Sequence, residues 1–310
     1  MLPSDPREDP VVAQRRLRNS LRRLRLRPDA RQTQKQVAQA LDWSPSKLLR
    51  IEAGQVPVAT SDLIALLTQY GVTDRAEIDD LVEIARISRR STIRDTYRDV
   101  FSKEFAEFVQ YESYASVIRQ YETKLVPGTL QTEDYAEAVI RAYLGSSAEE
   151  RAVTRRVQAR LERSAHLLHR SDGPDMSFIV DEAVIQRHVG RESGDTSLMI
   201  KQLEHLKSLN KKPSIKIHVM PFDFGIYRAL RGPFELLEFE DPADADLLYL
   251  ENPEGDELVH EDYDQIAPYL DMFTDLENLL TKSATSCFDE LADNVINQLE
   301  NYKLKHPQDT

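Results

Sequence analysis

Four positions of one short segment, Ser46, Lys47, Leu49 and Arg50, fall on a common outer arc once Leu48 and Ile51 are assigned to the inside of a helix. Their chemistry is recognition, not bond making. An arginine placed like Arg50 bonds a guanine edge through two parallel N–H groups, which discriminates by about 1 to 3 kcal/mol, and a lysine placed like Lys47 reaches a base or a phosphate. Leu49 is the odd residue of the set, and it either packs against a thymine methyl group or is covered by a neighbouring helix. Thr33, Gln34 and Lys35 open the preceding helix, where outward N–H groups and polar side chains suit phosphate contacts that position without specifying. With Ser44, which stands at the head of the second helix, these eight residues are the DNA-facing set expected of the chain.

The elements needed to hold that set are legible around it. Thr33 caps a helix with Val37, Ala38 and Leu41 inside, the chain turns at Asp42 and Trp43, and Pro45 follows the Ser44 cap at the first helical position. The second helix stops at Gly54, and Ala38 is small where the two helices cross. Upstream, Leu17, Leu21 and Leu24 recur at helical spacing with Arg15, Arg16, Arg18, Arg22, Arg23 and Arg25 on the other faces, an amphipathic basic helix. Downstream, a helix capped by Ser61 carries Leu63, Ile64, Leu67 and Tyr70, and another carries Ile78, Leu81, Val82 and Ala85. Residues 1–10 read as a flexible leader, 11–90 as a five-helix DNA-binding domain, and 91–310 as a larger domain for regulation, partner binding and dimerisation, with the junction in the arginine-dotted stretch from Arg86 to Arg98.

In the second part the period changes. Helices are expected around Phe101 to Val109, from a Thr132 cap to Gly145, over Ala148 to His169, Ser197 to Leu209, Glu261 to Leu280 and Ser286 to Tyr302, the last opened by Ser286 and Asp289. Strands are expected at Met176 to Val180, Ser214 to Met220, Phe234 to Phe239 and Leu247 to Leu250, the last two paired as a hairpin. The fold class is mainly α with a small mixed sheet, an α+β arrangement.

Charge supports this division. The whole chain carries −13, yet Val11 to Arg50 hold eleven basic residues against Asp29 and Asp42, while residue 95 onward holds 23 basic and 41 acidic residues. One part is suited to phosphates and the remainder to solubility or another partner. Composition is that of a globular protein, no apolar run approaches the roughly 18 residues that span a bilayer, and the N-terminus lacks a secretory apolar core, so a cytoplasmic protein without membrane association is expected. The single cysteine, Cys287, excludes an internal disulfide and reads as a small buried apolar residue.

Other constellations carry less. His166 and His169 stand three apart on a helix with no third ligand nearby, so no metal is expected. Glu235, Glu238, Glu240 and Asp241 alternate along a strand into its turn and read as a solvated face. The run Pro221, Phe222, Phe224, Ile226 and Tyr227 reads as core in preference to a pocket rim. Phosphate-cradling, dinucleotide, zinc-protease and esterase patterns are absent, so neither catalytic residues nor a cofactor are expected, and the chain reads as no enzyme. The bland alternative for the first domain is a helical bundle with no DNA role.

Residues 11–71 resemble the lambda-repressor-like (XRE-type) helix-turn-helix domains, and SPSKLLRIEAG is similar to the SPSKxSRIExG form of many actinobacterial regulators. YETKLVPGTLQTEDYAEAVI, DEAVIQRHVG, VMPFDFGIYRALRGPFELLEF and LLYLEN are similar to the uncharacterised C-terminal domain that those regulators share. The resemblance implies a pleiotropic transcriptional regulator of development or secondary metabolism, paired with a small separately encoded protein in an antitoxin-like arrangement. Two departures stand out: Leu49 replaces a small polar residue, and Asp29 to Gln32 replace a shorter glycine-containing turn. The expected assembly is a homodimer on a pseudo-palindromic double-stranded operator, because one short helix reads few base pairs. The second domain then receives a protein partner or a small-molecule effector, and an unrecognised enzymatic activity there is the third reading.

Overall fold

The computed structural model describes residues 10–28, 31–52, 56–170, 173–190, 196–240, 245–252, 254–260, 262–282 and 288–305. Asp29, Gly54, Asp241, Ser286, Cys287 and the leader as far as residue 9 lie outside them. The chain divides into two compact units, one of Met1–Thr96 with Arg170–Asp172, the other of Tyr97–His169 with Gly173–Thr310.

The first unit is helical: α1 (Pro10–Arg25), α2 (Gln34–Ala40), α3 (Pro45–Glu52), α4 (Thr60–Gln69), α5 (Arg75–Ile87) and the single turn α6 (Ile93–Thr96). Leu17, Leu21 and Leu24 of α1 meet Val37, Leu48, Leu63, Leu66, Leu81 and Ile84 in one apolar core, so every helix of the expected five contributes its inner stripe. Thr33 caps α2 in a reciprocal box, accepting from the Gln36 N–H while the Gln36 side chain accepts from the Thr33 N–H. The turn into α3 passes through Asp42 at φ 56°, a left-handed conformation that aspartate tolerates better than most residues. Ser61 does not cap α4 as expected. Val58 is buried and starts the helix earlier, at Thr60, so that Ser61 sits exposed in the first turn and Ala59 holds the cap position without a side-chain bond. The Arg89 guanidinium secures that entry, donating to the Val58 carbonyl at 2.9 Å and the Thr60 hydroxyl at 3.3 Å.

The second unit is built on a six-stranded mixed sheet with helices α7 (Lys103–Glu112), α8 (Glu133–Leu144), α9 (Glu150–Leu168), α10 (Glu182–Gln186), α11 (Ser197–Leu209), α12 (Tyr263–Lys282) and α13 (Phe288–Lys305). The strands are β1 (Val117–Glu122), β2 (Asp175–Asp181), β3 (Ile215–Met220), β4 (Phe234–Glu238), β5 (Leu247–Leu250) and β6 (Glu257–His260), in the order β3-β2-β1-β4-β5-β6. β1, β2 and β3 run parallel through helical crossovers, whereas β4, β5 and β6 continue antiparallel from β1. The fold class is therefore mainly α with a small mixed sheet, and the expected β4–β5 hairpin is present. Two strands beyond the expected four complete it, the central β1 and the edge strand β6.

One face of the sheet is apolar. Tyr121, Phe234, Leu236 and Leu248 pack there with Phe273, Leu276 and Leu280 of α12. Ion pairs flank that packing, with Arg119 donating to Glu238 at 2.6 Å and to Glu277 at 3.3 Å.

The opposite face is polar at its centre, where Gln120, Glu235 and Tyr249 are aligned across β1, β4 and β5. Glu235 is accordingly not on a solvated face; it is 4% exposed, while Glu238 is half-buried and Glu240 exposed. The reason is α9, whose buried Arg163 lies 4.0 Å from Glu235 and bonds Glu112 of α7 through two N–H groups at 2.5 and 2.6 Å. The run after β3 departs in the other direction: Phe222, Phe224 and Ile226 are exposed, because Pro221 and Gly225, at φ 79°, turn them outward. Tyr227 alone returns, donating to Asp181 at 2.6 Å and accepting from Tyr121 at 2.9 Å. His166 is buried and His169 exposed, and no group of three potential metal ligands occurs among the described residues.

Glu122, two residues beyond Gln120 on the same face, gives a pH test of this packing. Burial, with the Glu251 carboxylate second, pushes it up from 4.5 to about 8. Between those values the folded state holds a proton that the unfolded state has lost, so stability falls as pH rises through the window. Glu122→Gln, which keeps the neutral shape, is expected to be more stable than wild type at pH 8 and equal to it near pH 4. Urea unfolding at pH 4, 6 and 8 checks this; a difference independent of pH would refute it.

Candidate nucleic-acid interface

The outer arc of α3 is open where the spacing placed it. Ser44, Ser46, Leu49 and Arg50 are exposed, Leu49 by 54%, so no neighbouring helix in the unit covers the leucine. Arg50 lies back along its own helix, its Nε donating to the Ser46 carbonyl at 3.3 Å, and the Ser44 and Ser46 hydroxyls approach to 3.2 Å. Lys47 is half-buried. Its ammonium stands 3.8 Å from the Trp43 ring centre and pairs with Asp62 of α4 at 2.9 Å, so α3 is tied to the turn before it and to the helix after it.

On α2, Lys35 is exposed and Thr33 is exposed with its hydroxyl engaged in the cap, donating to the Gln36 side-chain oxygen Oε1 at 2.9 Å. Gln34 is differently placed from a phosphate contact. Its amide donates to Glu52 Oε2 at 2.7 Å and so joins the underside of α3. What it joins is a buried network. Arg25 donates to both carboxylate oxygens of Glu52, Nε to Oε1 at 2.6 Å and Nη2 to Oε2 at 2.9 Å, and its Nη1 holds the Gln32 carbonyl at 2.9 Å. The Tyr70 hydroxyl donates weakly to the same carboxylate at 3.5 Å, and burial, then Glu52, push that phenol up, keeping it a neutral donor.

Arg25 therefore does not belong to the solvent faces of α1 with its neighbours. It follows Leu21 by four residues, falls on the buried stripe, and is 8% exposed. Spacing from Leu21 was the available signal; the partner, 27 residues away, was not. Two arginines that the expected set left out lie close to it. Arg22 and Arg31, both exposed, line a shallow groove with Leu26, Thr33, Gln34 and Leu49 above the Arg25–Glu52 pair. The helix that would face a base edge is thus bordered by added positive charge and supported from beneath by a fixed ion pair.

What this arrangement can do is hold a short polar helix rigidly outward beside basic side chains, which is the geometry of a major-groove reader. Comparison with known families agrees at the level of the domain: residues 16–81 match a helix-turn-helix domain. Residues 105–287 match a Domain of unknown function (DUF5753). No curated protein and no solved structure matches the chain. Among the described residues no helix is long and apolar enough to cross a membrane. Since the second of these matches covers more than half of the 310 residues, the chain belongs to the DUF5753 family and carries a helix-turn-helix domain ahead of it.

Proposed function

We propose that this protein is a sequence-specific transcriptional regulator that reads double-stranded DNA with α3 and acts in the cytoplasm as a homodimer on a pseudo-palindromic operator. The observation that carries the reading is the exposed arc of Ser46, Leu49 and Arg50 on a helix anchored by the buried Arg25–Glu52 pair. Arg50 is the base reader, Ser44, Ser46 and Leu49 shape its surroundings, and Lys35, Arg22 and Arg31 bear on phosphates. Lys47 serves chiefly to fix α3 against Trp43 and Asp62. Control of development or secondary metabolism together with a small separately encoded partner, in an antitoxin-like arrangement, is carried over from the resemblance of the sequence motifs. On this reading the protein is not an enzyme.

The test is recovery of bound fragments from a fragmented genome by purified protein at two salt concentrations. Wild type is expected to enrich one shared motif, with affinity falling steeply in salt. Arg50→Ala is expected to lose about 1 to 3 kcal/mol, roughly 5- to 150-fold, on the motif and much less on unrelated DNA. Enrichment that ignores Arg50→Ala would sink the assignment of α3. For the assembly, light scattering at micromolar concentration should give twice the chain mass, and a monomer would count against the dimer.

A further inference from the structure

The second unit holds a partly open cavity of about 440 Å³ that the reading above does not use. Its floor is the polar sheet face, with Gln120 and Glu122 from β1, Glu235 from β4 and Tyr249 from β5. Its opposite wall is α9, which presents Arg156, Arg160 and Arg163. Phe105 of α7 closes one side, 6.0 Å from the Tyr249 ring. The volume lies in the range of about 300 to 1,000 Å³ that small-molecule sites occupy.

Donors and acceptors in the cavity are unequally satisfied. The guanidiniums have partners: Arg163 holds Glu112, Arg160 donates to Gln131 at 2.8 Å, and Arg156 donates to the Ala152 carbonyl at 3.3 Å. The acceptors on the floor do not. Among the described residues, Glu235 Oε1 and Gln120 Oε1 are buried with no hydrogen-bond partner, and from side chains Glu122 meets only a long 3.5 Å contact from Gln120. Burial, and after it the Glu112 carboxylate, push Glu235 well above the usual carboxylate range, as burial and Glu251 do for Glu122. Buried polar groups without partners destabilise a fold, and one with nothing to bind would place apolar side chains here. Costs of this kind gathered on one wall of one cavity mark a site, since local rules fail where function requires it.

We infer that this cavity is a binding site for a small organic cation, an amine or amidine of metabolite size whose N–H groups bond Glu235, Glu122 and Gln120. Its carbon skeleton lies against Phe105 and Tyr249, where aromatic faces favour a neighbouring positive charge. Arg156 and Arg160 across the cavity limit the occupant to one cationic end and suit a carboxylate at the other. This inference does not rest on the DNA-binding reading.

The test is calorimetric titration of the full chain with L-arginine, agmatine and tyramine, with glutarate as an anionic control. At least one of the cations is expected to saturate at one molecule per chain, with L-arginine tighter than agmatine because its carboxylate meets the arginine wall. Glu235→Gln and Glu122→Gln should each weaken that binding tenfold or more while leaving the melting temperature unchanged or higher, since the amide keeps the shape of the neutral acid that burial favours. A purely structural role for these carboxylates would lower the melting temperature instead. Failure of all three cations to bind, tighter binding of glutarate, or affinity indifferent to both substitutions would overturn the inference.

Discussion

Glu52→Ala is expected to unfold the first unit under conditions in which the second remains folded. The Glu52 carboxylate is 4% exposed and takes two bonds from Arg25 and one from Gln34, so its removal leaves a guanidinium buried without its counter-charge. Removing one partner of such a pair costs about 3 to 5 kcal/mol, against a total of roughly 5 to 15 kcal/mol for a typical domain. Trp43, the chain's single tryptophan, packs against the core of the first unit, so its fluorescence follows that unit alone. Eleven of the twelve tyrosines lie in the second unit, and their near-ultraviolet dichroism follows the other transition. Urea unfolding should therefore separate the two signals in Glu52→Ala, with the tryptophan midpoint displaced far downward and the tyrosine midpoint unmoved. Arg25→Met combined with Glu52→Leu should recover most of the loss, because apolar residues of similar volume replace buried pairs at little cost. DNA binding should fall with Glu52→Ala although Glu52 does not face outward. A tryptophan midpoint within about 1 kcal/mol of wild type would show that the pair is solvated and not structural.

The contrast between that pair and the rest of α1 marks where sequence reading reaches its limit. Leu17, Leu21 and Leu24 declare the helix and its inner stripe, and Thr33 and Thr132 declare two helix starts, because both signals are local: a side chain and a backbone group within one turn. Arg25 obeys the same periodicity, but a charged residue is assigned to solvent unless its partner is known, and the partner arrives from another helix. Gln34 was legible as the opening of α2 and illegible as a ligand of Glu52 for the same reason. In the sheet, β2, β3, β4 and β5 announce themselves by runs of branched and apolar residues, whereas β1 reads VIRQYE and hides behind its own chemistry. Its Gln120 and Glu122 sit where a strand packed on both faces should be apolar, and Glu235 does so on β4. Alternation fails at the positions that line the cavity, so the departure that concealed the strand is the same one that reveals the site.

Arg163→Leu is expected to do to the second unit what Glu52→Ala does to the first, and its pH dependence is the more informative part. Arg163 is buried against the Phe105 and Phe108 rings at 5.0 and 5.5 Å, bonds Glu112 through two N–H groups, and stands 4.0 Å from Glu235. Leucine would fill part of the volume but leave two carboxylates, both under 5% exposed, without the only guanidinium that bonds Glu112 among the described residues. Taking one partner from a buried ion pair costs about 3 to 5 kcal/mol, and losing the nearby guanidinium pushes Glu235, already raised by burial and then by Glu112, further up. A carboxyl raised further keeps its proton in the folded state to higher pH, so the deficit relative to wild type should grow as pH rises and narrow toward acid. Adding Glu112→Gln to the same chain should restore a large share of the stability, because a neutral amide needs no counter-charge from the lost guanidinium. Arg163→Lys should fall between, since a point charge cannot make the paired bonds of a planar fork. The tyrosine-detected urea midpoint of each variant across that pH range decides the matter: a deficit that does not vary with pH would assign the role of Arg163 to packing against the two phenylalanines, and the carboxylates on the cavity floor would then be held by something other than this arginine.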